Sequence, residues 1–176
     1  MKYTFTVLTG ILFFVLMSFG LPKNVNKKVD KEISKFLDTK SFTKTPIVLT
    51  DDVQNSLDKS IQKGTFFKIN NASEFVNYAY VGSANSHVST FDYLVIFNKD
   101  FEVERTKVVI YREDYGFEIT SKRWLVQFIG KNSEDSLEYD SNIDAISGAT
   151  ISARSMTKAM DNLLKSVKII KENNKV

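Results

Sequence analysis

The chain predicts an α+β domain, a mainly antiparallel β-sheet flanked by helices with a long helix at its carboxyl end. Three observations carry this. Four runs in the middle of the chain, Phe66–Ile69, Glu74–Val81, Phe91–Phe97 and Glu102–Tyr111, are rich in aromatic and β-branched residues. Asn98-Lys99-Asp100 is a hairpin-turn signal and makes the last two runs adjacent antiparallel strands. On both sides of this block the apolar residues change to helical spacing, most clearly at Met156, Ala159, Met160, Leu163, Leu164 and Val167.

In chain order, Lys2 is the only charge before an apolar run from about Phe5 to Phe19. A membrane span needs about 20 apolar residues, so this run has the length of a signal-peptide core. Ser18 and Gly20 are the small residues expected ahead of a cleavage after Gly20; an uncleaved anchor is the alternative. Either way the remainder is expected outside the cytoplasm, periplasmic or secreted. The division that follows is a leader over 1–20, an N-terminal helical segment over 21–60 and the main domain over 61–176. Val25, Val29, Ile33 and Phe36/Leu37 predict an amphipathic helix over 25–37. Thr50-Asp51-Asp52 reads as a second helix start, with Val53, Leu57 and Ile61 as its stripe and Gly64 as its stop. After the strands, Ser121 is expected to cap a short helix that buries Trp124, Leu125 and Phe128/Ile129 and ends at Gly130.

Composition narrows the function. The chain has 176 residues, enough for one domain with its own core. A net charge of +3 from scattered basic residues argues against a nucleic-acid partner. With no cysteine there are no disulfides, no thiolate-held clusters and no cysteine-ligated zinc. The single histidine, His87, lies in a polar stretch expected to be a solvent-exposed loop, which leaves a histidine metal site or a catalytic triad without its parts.

Several apparent motifs fail on their chemistry. Asp140-Ser141-Asn142-Ile143-Asp144 opens like a calcium loop, but Ala145 stands where the turn needs glycine and Ile151 where a glutamate must close the shell. Ser155-Met156-Thr157-Lys158 matches S-x-x-K no better than Ser56-Leu57-Asp58-Lys59 does, and no K-T-G accompanies either.

Asp144-Ala145-Ile146-Ser147-Gly148-Ala149-Thr150-Ile151-Ser152 carries more. Gly148 permits conformations other residues resist, and Ala149 adds little bulk. Ser152 reads as an N-cap, and Thr150 as lying just before the long helix, where unpaired N–H groups and the helix dipole favour an anion. Local physics alone favours an ordinary capped turn over a bound phosphate.

The same residues resemble the flavinylation motif D-x-x-[ST]-G-A-T-x-[ST] of the FMN-binding domain family, which includes the covalent-flavin subunits of the sodium-pumping NADH:quinone oxidoreductase and of the Rnf complex. Upstream, Tyr111-Arg112-Glu113-Asp114-Tyr115-Gly116-Phe117 keeps Glu113 and Gly116 of the family's E-T-P-G-L-G loop and replaces the rest. Trp124-Leu125-Val126-Gln127-Phe128-Ile129-Gly130-Lys131 resembles its aromatic helix ending in F-x-G-K. The resemblance spans roughly residues 60–170.

It implies FMN joined by a phosphoester to Thr150, installed outside the cytoplasm by a magnesium-dependent flavin transferase. Asp144 would present the loop or meet the transferase's metal, and Ser147 and Ser152 would bond the phosphate or cap the helix. Gly148 and Ala149 would leave room, and Trp124, Tyr111 and Tyr115 are candidate platforms for the flavin ring or members of the core. The implied function is an electron carrier working with membrane or extracytoplasmic redox partners. A flavin-dependent reductase of a small acceptor, and a non-flavin binding module on the same fold, are the alternatives.

Overall fold

The computed structural model describes residues 21–71 and 74–173; the apolar leader lies outside them. A helix α1 (Lys23–Leu37) comes first, then strand β1 (Phe42–Pro46) and two short helices, α2 (Asp51–Ser56) and α3 (Lys59–Gln62). Strands β2 (Thr65–Asn71), β3 (Glu74–Asn85), β4 (Thr90–Phe97) and β5 (Val103–Tyr111) follow. Two 3-10 turns (Phe117–Thr120 and Val126–Phe128) bracket a one-turn helix α4 (Lys122–Leu125), and α5 (Thr150–Asn173) ends the described chain. The five strands pair in sequence order, every pair antiparallel.

Alternation along the strands builds two cores. Phe67, Ile69, Ala79, Val81, Leu94, Ile96 and Val109 pack against Val25, Val29 and Ile33 of α1. Their neighbours Phe66, Tyr78, Tyr80, Tyr93, Val95, Phe97 and Val108 point to the other face, where α5 lays down Met156, Met160, Leu163, Leu164 and Val167. Because helices cover both faces, β4 is buried from Phe91 to Phe97, and from Tyr93 to Phe97 it reads as a continuous apolar run instead of an alternating one. Each large apolar side chain buried this way contributes about 1.5–3 kcal/mol, so the sheet and α5 hold one another.

Most of the predicted elements form, and the differences have local causes. The single helix expected from Thr50 to Gly64 is two helices. Leu57 has an extended backbone (ψ 157°), and the Asp58 side chain accepts from Ser60 N–H and starts a new turn. Thr50 does cap the first of them, accepting from Val53 N–H. The hairpin forms at Asn98, whose side-chain oxygen accepts from the Asp100 and Glu102 amides, each at 2.9 Å. Strand β1 was not expected; its half-exposed, polar sequence Phe42-Thr43-Lys44-Thr45-Pro46 becomes a strand only by pairing with β2. Ser121 makes no side-chain cap, correcting that expectation; α4 is too short a turn to need one and is held by its buried Trp124 and Leu125.

Candidate functional site

The loop over 131–149, between Gly130 and α5, is fixed from both sides at Asp144. Its N–H donates to Gln127 Oε1 at 2.6 Å, and its carbonyl accepts from the indole N–H of Trp124 at 2.8 Å. Gln127 is itself held by donating to the Trp124 carbonyl at 3.0 Å. Trp124 is buried, edge-on to Phe128. It is therefore a core residue that pins the loop through its polar edge, and not a platform facing a ligand. The Asp144 side chain remains exposed.

From this anchor the chain runs through half-buried Ile146 and exposed Ser147 and Gly148 into α5. Gly148 has φ +84°, the left-handed region. A Cβ there would stand 2.9 Å from Glu118 Oε1 and 3.1 Å from Glu118 Cδ. Glycine is thus required twice, for the backbone conformation and for the approach of Glu118. Glu118 went unrecognised in the sequence: its Oε2 is buried without a hydrogen-bond partner under this loop.

Thr150 is the first residue of α5, not a residue ahead of it, and its side chain is exposed. The preceding Ala149 occupies the position where a capping side chain would act, with its carbonyl accepting from Ala153 N–H at 2.8 Å. Alanine has no side-chain acceptor of its own to offer the first-turn N–H groups, a choice that costs about 1 kcal/mol against Ser, Asp or Asn. Ser152 does not supply the cap, which corrects the sequence expectation. It lies inside the first turn, buried, and its hydroxyl pairs with the Tyr111 hydroxyl at 2.9 Å. The amino end of α5 is accordingly open and electropositive.

Around that end lies a cavity of about 670 Å³. Its walls come from three places: the β3–β4 loop (His87, Val88), the stretch Tyr111–Gly116, and Gly148–Ser152. Gly116, at φ +78°, has no side chain to collide with Tyr111, whose hydroxyl would lie 2.6 Å from an added Cβ. Tyr111 can therefore lean across to Ser152 and join the end of β5 to the start of α5. Tyr115, Val88 and Ile151 are exposed apolar side chains at the rim.

Glu113 acts on the loop opposite. Its Oε1 accepts from the Ser86 hydroxyl, from Val88 N–H at 2.9 Å and from Ser89 N–H at 2.8 Å. The Ser86 hydroxyl first, and then the two amides, hold its carboxyl below the usual range. Glu113 thus lines the cavity as the clamp that shapes the β3–β4 loop. Arg112 contributes the cation: one guanidinium nitrogen donates to Thr90 O at 3.0 Å and the other to Asp92 at 2.5 Å.

The structure brings Glu113, Gly116, Gly148, Ala149, Thr150 and Ser152 to one cavity and leaves Asp144, Ser147 and Trp124 outside its walls. It adds His87, Val88, Arg112 and Ile151, for which nothing in the local sequence is a signal. The helix terminus offers N–H donors to an anion, and the cavity around it has aromatic and apolar rim residues, the features of a small-molecule site. Residues 87–165 match the family model of the FMN-binding domain, from the cavity rim at His87 to the middle of α5. This match, over a little under half of the chain, supports FMN as the cofactor. Among curated proteins none matches the chain.

The cavity fits this group on its own evidence. The uncapped α5 terminus offers N–H donors to a phosphate, and Tyr111, Tyr115, Val88 and Ile151 offer aromatic and apolar surface.

Proposed function

We propose that the chain is an exported flavoprotein with FMN joined through its phosphate to the Thr150 hydroxyl, carrying electrons between partners outside the cytoplasm. The observation behind the covalent reading is the position of Thr150: an exposed hydroxyl on the first residue of α5, on the wall of the 670 Å³ cavity. A flavin transferase can reach such a hydroxyl, and slim Gly148 and Ala149 beside it leave the approach open. Once a phosphate is there, the open N–H groups of the first turn offset its charge.

FMN supplies the redox chemistry, in one- or two-electron steps. The chain's own residues bind and orient. Tyr111, bonded to Ser152, and Tyr115 offer aromatic surface; Glu113 fixes the β3–β4 loop that closes the opposite side. The leader over 1–20 supports export, since a covalent tether retains a cofactor where free FMN is scarce.

Co-expression with a flavin transferase followed by intact-mass measurement tests this. The expected gain is one FMN less one water, absent in Thr150→Ala. Unmodified protein despite an active transferase refutes the linkage, and protein that retains FMN reversibly refutes it while keeping the FMN-binding domain.

A further inference from the structure

We propose that a second cavity, bordering the first at Arg112, is a binding site for a small organic dianion, a phosphate ester or a dicarboxylate. This cavity, about 760 Å³, lies between α3, the β3–β4 end of the sheet and α5. It is independent of how FMN is held.

Charge carries the inference. Six charged side chains line the cavity: Lys59, Lys63, Lys158 and Arg112 against Asp58 and Asp92. Both carboxylates are already engaged. Asp92 accepts from Arg112 at 2.5 Å. Asp58 accepts from Ser60 N–H at 2.8 Å and from the Ser60 hydroxyl. Those two bonds first, and then the field of Lys158, hold its carboxyl below the usual range. Lys59 and Lys63 are left, and among the described residues neither pairs with a carboxylate.

They stand four apart on one short helical segment, where like charges repel. The acids lining this cavity are Asp58 and Asp92, both already engaged. A ligand carrying two negative charges would balance the excess. The volume exceeds what a single inorganic ion fills, and Leu21 and Val25 of the α1 end give a short carbon skeleton an apolar side to lie on. Arg112 borders both cavities, so a molecule bound here sits beside the flavin pocket.

Calorimetric titration of the purified protein with glycerol phosphate, and separately with succinate, at neutral pH and fixed low ionic strength tests this. At least one of the two should show a single saturable site, weakened about tenfold or more in the Lys59→Gln/Lys63→Gln double variant. Lys122→Gln, an exposed lysine elsewhere, should leave it unchanged. Both cavity lysines are exposed, and an unaltered circular-dichroism melt establishes that the double variant is folded. Absence of saturable binding of either compound overturns the proposal. So does binding that survives in the double variant, which would belong to the amino end of α5.

Discussion

Gly148→Ala gives the sharpest test of how the attachment loop is built. Two penalties act on the new Cβ. At φ +84° an L-residue is in the left-handed region, which costs about 1–2 kcal/mol. The Cβ would also lie 2.9 Å from Glu118 Oε1, so the carboxylate must move while its partner oxygen Oε2 is enclosed without a hydrogen bond. Overpacking of this kind costs about 1–3 kcal/mol, toward the low end here because the contact is the far end of a flexible side chain. The sum is about 2–3 kcal/mol, read by urea denaturation, or a fall of about 4–12 °C in Tm for a chain this long. A double-mutant cycle separates the parts. Glu118→Ala should recover the contact portion, about 1 kcal/mol, and leave the backbone portion. Gly148→Asn should be milder than Gly148→Ala in its backbone term, because asparagine tolerates the left-handed region. A loss below about 0.5 kcal/mol for Gly148→Ala, or no coupling to Glu118, would refute the account. Gly148→Val should destabilise the loop more than Gly148→Ala does, since the larger side chain meets the same Glu118 contact.

Two further outcomes follow from the cavity walls. Tyr111→Phe removes the hydroxyl that pairs with buried Ser152 at 2.9 Å and should cost about 1–2 kcal/mol in a denaturant titration; Tyr111→Phe and Ser152→Ala should be non-additive, and full additivity would mean that the pair does not interact. Glu113 has its carboxyl held below the usual range by Ser86, Val88 and Ser89, so its contribution to stability is present above the ordinary carboxylate value and fades as pH falls through its lower folded value. The Tm gap between the parent protein and Glu113→Gln should therefore be widest near pH 7 and shrink in acid; a gap that widens in acid contradicts the clamp.

The strands and the long helix could be read from the sequence because their signals are local. Aromatic and β-branched runs, the Asn98 turn and the i, i+3, i+4 stripe of α5 are each complete within a few neighbouring residues. Strand β1 was invisible for the opposite reason: its polar sequence is a strand only because β2 offers a paired edge. The break at Leu57–Asp58 was hidden because the apolar stripe continues across it while the backbone does not. At the site, local chemistry marked Gly148 for its missing side chain, and only the resemblance to the flavinylation motif pointed to the Thr150 hydroxyl.

What the sequence by itself determined was the four central strands in order, the amphipathic faces of α1 and α5, and a small-residue loop leading to a hydroxyl at the start of the long helix. Those properties depend on chain neighbours and survive without knowledge of packing. Only the tertiary structure decided what each polar group bonds. It placed Ser152 against Tyr111, 41 residues away in the chain, gave the Trp124 indole to the Asp144 carbonyl, and turned Glu113 onto the β3–β4 loop. A hydrogen bond is chosen by distance and direction in space, and sequence separation carries no information about either until the sheet and α5 are packed.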